Sequence, residues 1–316
     1  MLGAVDLLTT DPALTEGLPG FPWHSRRVDL PRGGGDDATL QMAYLDEGPT
    51  DGPVVLALHG EPSWGYLYRG LVAPLVAAGL RVVIPDLVGF GRSDKPAART
   101  DHTYEAHVTW LRAFVEATAL QDITLLCQDW GGLLGLPLVA GDPGRFAAVV
   151  AANTGLPDGG RRMPEPWWRF HDFVARTPEL PVGFLVDAGV RRALTDAERA
   201  AYDAPFPTAA HQAGPHAMPG LIPQEPDAPY AAETRAAWDV LAGWHRPFLT
   251  AFSDGDPITV GGDRWLQERI PGAHGRPHTT LPGGHFLQED CPDALAAVVI
   301  EATRLARAWL PGATRW

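Results

Sequence analysis

Cys127-Gln128-Asp129-Trp130-Gly131-Gly132 decides the reading of this chain. It follows the apolar, β-branched run Ile123-Thr124-Leu125-Leu126 and leads into another apolar segment. That pattern predicts a strand, a tight glycine-flanked turn and a helix. Such a turn lifts the side chain at its apex, here Asp129, clear of the end of a sheet. An Asp at a strand end is often only a helix cap, but the Trp-Gly-Gly that follows favours a reactive group. A carboxylate is poorly suited to attack an ester carbonyl. It is well suited to displace a leaving group from saturated carbon, because the product is an ester that water can cleave. A serine in its place would leave a stable ether. Asp129 at this turn therefore narrows the chemistry to two-step hydrolysis at a carbon–halogen bond or an epoxide.

Working outward, strand and helix signals alternate. Strands are predicted at 54–58, 81–85, 123–127, 146–152, 247–253 and 279–281, and helices at 66–78, 104–118, 133–140, 261–270 and 292–310. Near-continuous apolar strands separated by helices imply a mostly parallel sheet covered on both faces, an α/β fold. Functional groups then belong at the carboxyl ends of the strands. Between 156 and 230 no long strand is legible. Pro, Arg and aromatic residues are frequent there, and helical pieces stand near 167–177 and 195–202. A structureless stretch of that length is rare inside a compact domain, so this segment is read as an inserted helical cap. The main domain is then 1–155 and 231–316.

The 316 residues, 45% of them apolar, suffice for one such domain with an insertion. A net charge of −13 argues against nucleic acid or an anionic membrane as a partner. Cys127 and Cys291 are far apart and in no metal-like spacing, so both are expected as free thiols, Cys127 as strand packing. The N-terminal stretch lacks a basic start, and Asp6 and Asp11 break its apolar run, so it is not expected to be a signal peptide. No apolar run is long enough for a membrane span, and the expected location is the cytoplasm.

Three further pieces sit where a nucleophile turn needs them. His59-Gly60-Glu61-Pro62-Ser63-Trp64 follows the first predicted strand, and its turn can aim the Glu61 amide at a developing oxyanion. The second donor is the amide of Trp130. Ser253-Asp254-Gly255-Asp256-Pro257 follows the fifth strand. Asp256 is preferred as the acid that orients the catalytic imidazole, since Asp254-Gly255 reads as the turn itself. His285, in Gly283-Gly284-His285-Phe286, is the expected general base. Glu289, close by, is read as surface or helix-start polarity.

The order nucleophile, acid, histidine is that of the α/β-hydrolases. Within them the chain resembles the haloalkane dehalogenases, in the subgroup with HGEP(S/T)W and an acid after the later strand. The stretches that carry the resemblance are HGEPSWGYLYR, PDLVGFGRSDKP, LLCQDWGG, AYDAPFP, the SDGDP turn and GGHFLQED, which lie between His59 and Asp290 within a likeness that runs over 44–290. Asn153 near the earlier strand end and Glu61 in the first motif fit that subgroup. The resemblance implies that Asp129 attacks the halogen-bearing carbon, that the Trp130 indole holds the departing halide, and that His285, oriented by Asp256, activates water against the resulting ester. It implies no metal and no organic cofactor. The expected partners are a small halogenated hydrocarbon, water and halide, and the chain is expected to be a monomer.

The cap departs from the subgroup's pattern. Its second halide donor usually comes from a phrase F-x-x-W-x-x-F, and here the phrase is Trp167-Trp168-Arg169-Phe170-His171-Asp172-Phe173, with Trp and Phe exchanged. Phe donates no hydrogen bond, so the donor is Trp167 or Trp168. Trp167 is preferred because it lies three residues before Phe170, on the same helix face. Trp168, Phe170, Phe173 and Phe286 are the expected walls of the substrate pocket. Two rival readings stand beside this one. An epoxide hydrolase uses the same residues but needs cap tyrosines, and only Tyr202 and Tyr230 are present there. A non-catalytic ligand receptor usually lacks part of the catalytic set.

Overall fold

The computed structural model describes residues 6–33 and 38–309. The first five residues of the stretch weighed as a leader, and the last residue of the helix predicted at 292–310, lie outside them. The central sheet has eight strands: β1 (Arg26–Pro31), β2 (Thr39–Glu47), β3 (Val54–Leu58), β4 (Arg81–Pro85), β5 (Ile123–Gln128), β6 (Phe146–Ala152), β7 (Phe248–Ser253) and β8 (Thr279–Leu281). Their spatial order is β8-β7-β6-β5-β3-β4-β2-β1. β3 to β8 pair in parallel, whereas β1 and β2 run antiparallel at one edge. The fold is thus a mostly parallel α/β sheet.

Every residue of β3, β5 and β6 is buried. Helices on both faces seal these strands, which is why they read as unbroken apolar runs. The helices that follow strands are α1 (Arg69–Ala77), α2 (Tyr104–Ala117), α3 (Trp130–Gly141), α8 (Ala231–Leu241), α9 (Gly262–Arg269), α10 (Leu287–Asp290) and α11 (Pro292–Trp309). α2 starts where expected, the Thr103 hydroxyl accepting the Ala106 N–H at 3.1 Å. α3 starts three residues earlier than its apolar pattern suggests, because the turn at Asp129 passes directly into it.

Between β6 and β7 the described chain contains no strand. It holds α4 (Glu165–Arg176), α5 (Val182–Ala188), α6 (Asp196–Asp203) and α7 (Ala213–Ala217), and then α8, which packs on α3. The Thr195/Glu198 capping box fixes the start of α6.

The strand order reverses at β3, whose neighbours are β4 and β5. Ligands of open parallel sheets bind at such a switch point, outside the carboxyl ends of the strands. The register pairs Leu58 with Cys127. It thereby sets the loop after β3 beside the turn after β5.

Candidate active site

Asp129 has φ 51° and ψ −125°, a conformation non-glycine residues adopt only under constraint. Its surroundings supply that constraint. Its N–H donates to Asn153 O at 3.0 Å, and its carbonyl accepts the Thr154 hydroxyl at 2.6 Å and the Gly132 N–H at 2.9 Å. A Cβ at Gly131 would stand 2.0 Å from Leu58 O, and one at Gly132 2.0 Å from Thr154 Oγ1. The two glycines let the helix start press against β3 and the end of β6, and the Asp129 side chain is pushed outward.

Opposite it, the loop after β3 is tied down by its own neighbours. Tyr68 donates to Leu58 O at 2.8 Å, Ser63 to Gly60 O at 2.9 Å, and Leu87 N to His59 Nε2 at 2.9 Å. The Glu61 N–H, freed of any backbone partner, donates to Asp129 Oδ1 at 2.9 Å. A Cβ at Gly60 would fall 2.3 Å from that oxygen, so only glycine permits the approach. The Glu61 side chain is buried, and one of its oxygens meets no partner among the described residues. Burial, reinforced by the Asp129 charge, pushes its carboxyl well above the ordinary range.

His285 completes the triangle. Its Nδ1 is 3.0 Å from Asp256 Oδ2, and its Nε2 is 3.5 Å from Asp129 Oδ2. Asp256 is itself held by the Ile258 N–H and the Thr259 hydroxyl. Burial alone would raise the Asp256 carboxyl, but His285 and these donors bring it below its usual value. Burial likewise opposes protonation of His285. The Asp256 and Asp129 carboxylates outweigh it and push the imidazole up to about 10. Two side-chain amides fix the histidine's backbone: Asn153 Nδ2 donates to His285 O at 2.9 Å and Gln128 Nε2 at 3.2 Å. The same Gln128 nitrogen is 3.1 Å from His285 Nε2. Sequence reasoning passed over Gln128, although its place directly before the turn puts its side chain at the strand end.

A cavity of about 200 Å³ opens over these groups. Asp129, Glu61, Trp130 and His285 form its floor, and Trp167, Phe170, Leu185, Pro219 and Phe286 line it elsewhere. Among the described residues neither Trp130 nor Trp167 donates its indole N–H to a protein acceptor. Trp64, Trp110 and Trp238 each donate to a backbone carbonyl. Above a charged floor the cavity walls are apolar, and the indoles of Trp130 and Trp167 keep free donors.

Glu289 is a correction. It is buried, 6% exposed, and not a surface group. It bonds Arg69 of α1, Arg192 and the Tyr202 hydroxyl of α6, while Glu198 takes the other arms of the two arginines. Next to it, Asp290 accepts the N–H groups of Arg191, Arg192 and Gly284. The short helix after His285 thus grips the helical segment between β6 and β7.

An aspartate raised on a constrained turn, a backbone amide on its carboxylate and a carboxylate-backed imidazole fit hydrolysis through a covalent ester. Comparison with known proteins gives the same direction. Residues 53–292 match the alpha/beta hydrolase fold family. The haloalkane dehalogenase of Psychrobacter cryohalolentis is 49% identical over 84% of this chain and 88% of its own length. This chain is a member of the haloalkane dehalogenase family. The haloalkane dehalogenase of Mycobacterium marinum is 45% identical over 94% of this chain and 99% of that relative. The tetrameric structure of haloalkane dehalogenase DpaA from Paraglaciecola agarilytica NO2 superposes with a TM-score of 0.83 at 32% identity, covering 98% of this chain and 100% of that one.

Within this haloalkane dehalogenase two expected pocket residues lie elsewhere. Phe173 is 40% exposed and does not line the cavity. It follows Trp167 by six residues, which turns it about 120° round the helix axis. Trp168, one residue on and about 100° round, packs at 4.9 Å on Trp167 instead. Its indole N–H is buried without a protein acceptor. Neither tyrosine that an epoxide-opening site would use lines the cavity. Tyr202 donates to Glu289, and Tyr230 stacks on Tyr104 at 5.4 Å.

Proposed function

We propose that this haloalkane dehalogenase works through an ester on Asp129, with the two carboxylate oxygens doing separate jobs. The observation that carries the reading is the 2.9 Å bond from Glu61 N–H to Asp129 Oδ1, which leaves Oδ2 toward the cavity and His285. Oδ2 attacks the halogen-bearing carbon, and the carbon–halogen bond breaks with its electron pair on the halide. The Trp130 and Trp167 indoles receive that anion, since an unpaired buried charge would be strongly disfavoured. Oδ1, now the ester carbonyl, already sits on the Glu61 amide, with the Trp130 amide as second donor. A tetrahedral intermediate formed there is stabilised without reorganisation.

Esterification also changes the base. Asp129 becomes neutral, and one of the two carboxylates that raise the His285 pKa disappears. The imidazole sheds its proton more readily just when water must be activated. Asp256 holds it in place and stabilises it once protonated. Water then attacks the ester; alcohol, halide and one proton leave.

We read 156–230 as the cap that roofs this site. Every group named belongs to one chain, which supports a monomer. The two free thiols support a cytoplasmic location.

Bromide release from 1,2-dibromoethane tests the chemistry. Asp129→Ala should lower turnover by about 10⁴-fold or more. His285→Gln should release one bromide per chain and then stop, with an alkyl group on Asp129 visible by peptide mass. Steady turnover in either variant would overturn the reading. Light scattering should give the mass of one 34.0 kDa chain; four times that mass would rule out the monomer.

A further inference from the structure

A second cavity, of about 290 Å³, also starts at Asp129. It shares Trp167 and Ile258 with the first and runs outward along Leu156, Met163 and Val260 to Arg161 and Arg162. Both arginines are exposed, and among the described residues neither forms an ion pair with a carboxylate. Arg162 lies over the Trp168 ring at 5.1 Å. The turn that carries them is anchored. Gly159, at φ 77°, is so close to the Glu225 carbonyl that a Cβ would stand 2.1 Å from it. Arg235 donates to the carbonyls of Asp158 and Pro226 at 3.2 and 2.9 Å. The Asp158 carboxylate, which shares the lining, accepts the Gly160 N–H at 2.9 Å and pairs with neither arginine.

A chain of net charge −13 repels small anions as a whole. Two unpaired guanidinium groups at the far end of an apolar channel from the nucleophile reverse that locally. We propose that this channel admits alkyl chains with a halogen at one end and a carboxylate at the other. The halogen-bearing carbon reaches Asp129 and the carboxylate stays with Arg161 and Arg162. The inference rests on the ester mechanism above and names a substrate class for it. Asp129 Oδ2 bonds to the terminal carbon as bromide leaves with the bonding electrons. Water then cleaves the ester to an ω-hydroxycarboxylate, releases one proton and restores Asp129. Because the arginines stand at the mouth and not beside the nucleophile, a haloacetate is too short to use both ends.

The test compares kcat/KM for 8-bromooctanoate, 1-bromooctane and bromoacetate in wild type and in the Arg161→Gln/Arg162→Gln variant. The double substitution should lower the value for 8-bromooctanoate by about tenfold or more and leave 1-bromooctane unchanged. Added sodium sulfate should weaken the wild-type preference, since exposed charges are screened, and bromoacetate should gain nothing from the arginines. Turnover of 1-bromooctane without turnover of 8-bromooctanoate would overturn this inference and leave the dehalogenase mechanism standing. So would an equal loss for both octyl substrates, or no loss at all. Failure of all three compounds while 1,2-dibromoethane is turned over would overturn this inference alone, whereas failure of 1,2-dibromoethane as well would overturn the mechanism with it.

Discussion

Asp129 is the residue on which the site's economy turns: one oxygen is committed to a backbone amide before any substrate arrives, and the other is left to react. The same logic separates the cap aromatics. Trp167 lines the cavity with an unspent indole N–H, whereas Trp168 and Phe173 are rotated away from it. Trp167→Phe should therefore cut bromide release by about 10²-fold, the loss typical of one preorganised donor. Trp168→Phe should leave it near wild type. Quenching of intrinsic fluorescence by added bromide gives an independent readout, and equal weakening in both variants would sink the assignment.

At the scale of elements, the clamp around Glu289 joins α1, α6 and α10 through groups mostly shielded from solvent, with Arg192, 36% exposed, at its edge. The Glu289 side chain is 3% exposed and that of Arg69 10%. Glu289→Ala would leave Arg69 and Arg192 with Glu198 as their shared carboxylate partner, so the loss should stay below the about 3–5 kcal/mol of a fully stranded buried pair. The urea midpoint should fall accordingly; an unchanged midpoint would mean that solvent reaches the cluster. This clamp was not legible in the sequence. A glutamate shortly after a histidine looks like surface polarity, and its partners stand 220 and 97 residues away. The parallel strands were legible, because burial on both faces leaves an unbroken apolar run. β1 was not, since Arg26, Arg27 and Asp29 break its pattern at an edge that solvent reaches. The meeting of Asp129, Asp256 and His285 was legible because each follows a strand end with a glycine or turn signal. The cap wall was legible only in part: spacing gave the shared face of Trp167 and Phe170, but nothing local shows where that face ends.

For the whole molecule, buried imidazoles set opposite pH trends. Burial holds His59, His102 and His107 below the ordinary value of 6.5. Unfolded chains bind protons there more readily, so stability is lost as pH falls through 6.5. His285 is raised to about 10, so the folded chain binds the extra proton and the stability it contributes is lost as pH rises from 6.5 towards 10. Melting temperatures should peak near pH 6.5, and His285→Phe should flatten the alkaline side alone. A melting temperature that climbs steadily to pH 9 would contradict the charged resting imidazole. One feature of the fold also bears on protein engineering. Glu289 and Asp290 follow His285 by four and five residues, and both hold the helical segment between β6 and β7. Anyone who grafts a foreign roof onto this scaffold to change its substrate range also inherits the alignment of the base. Chimeras that keep Arg192, Glu198 and Tyr202 should retain a working hydrolytic step, whereas those that discard them should trap the alkylated enzyme however well the new roof fits its substrate.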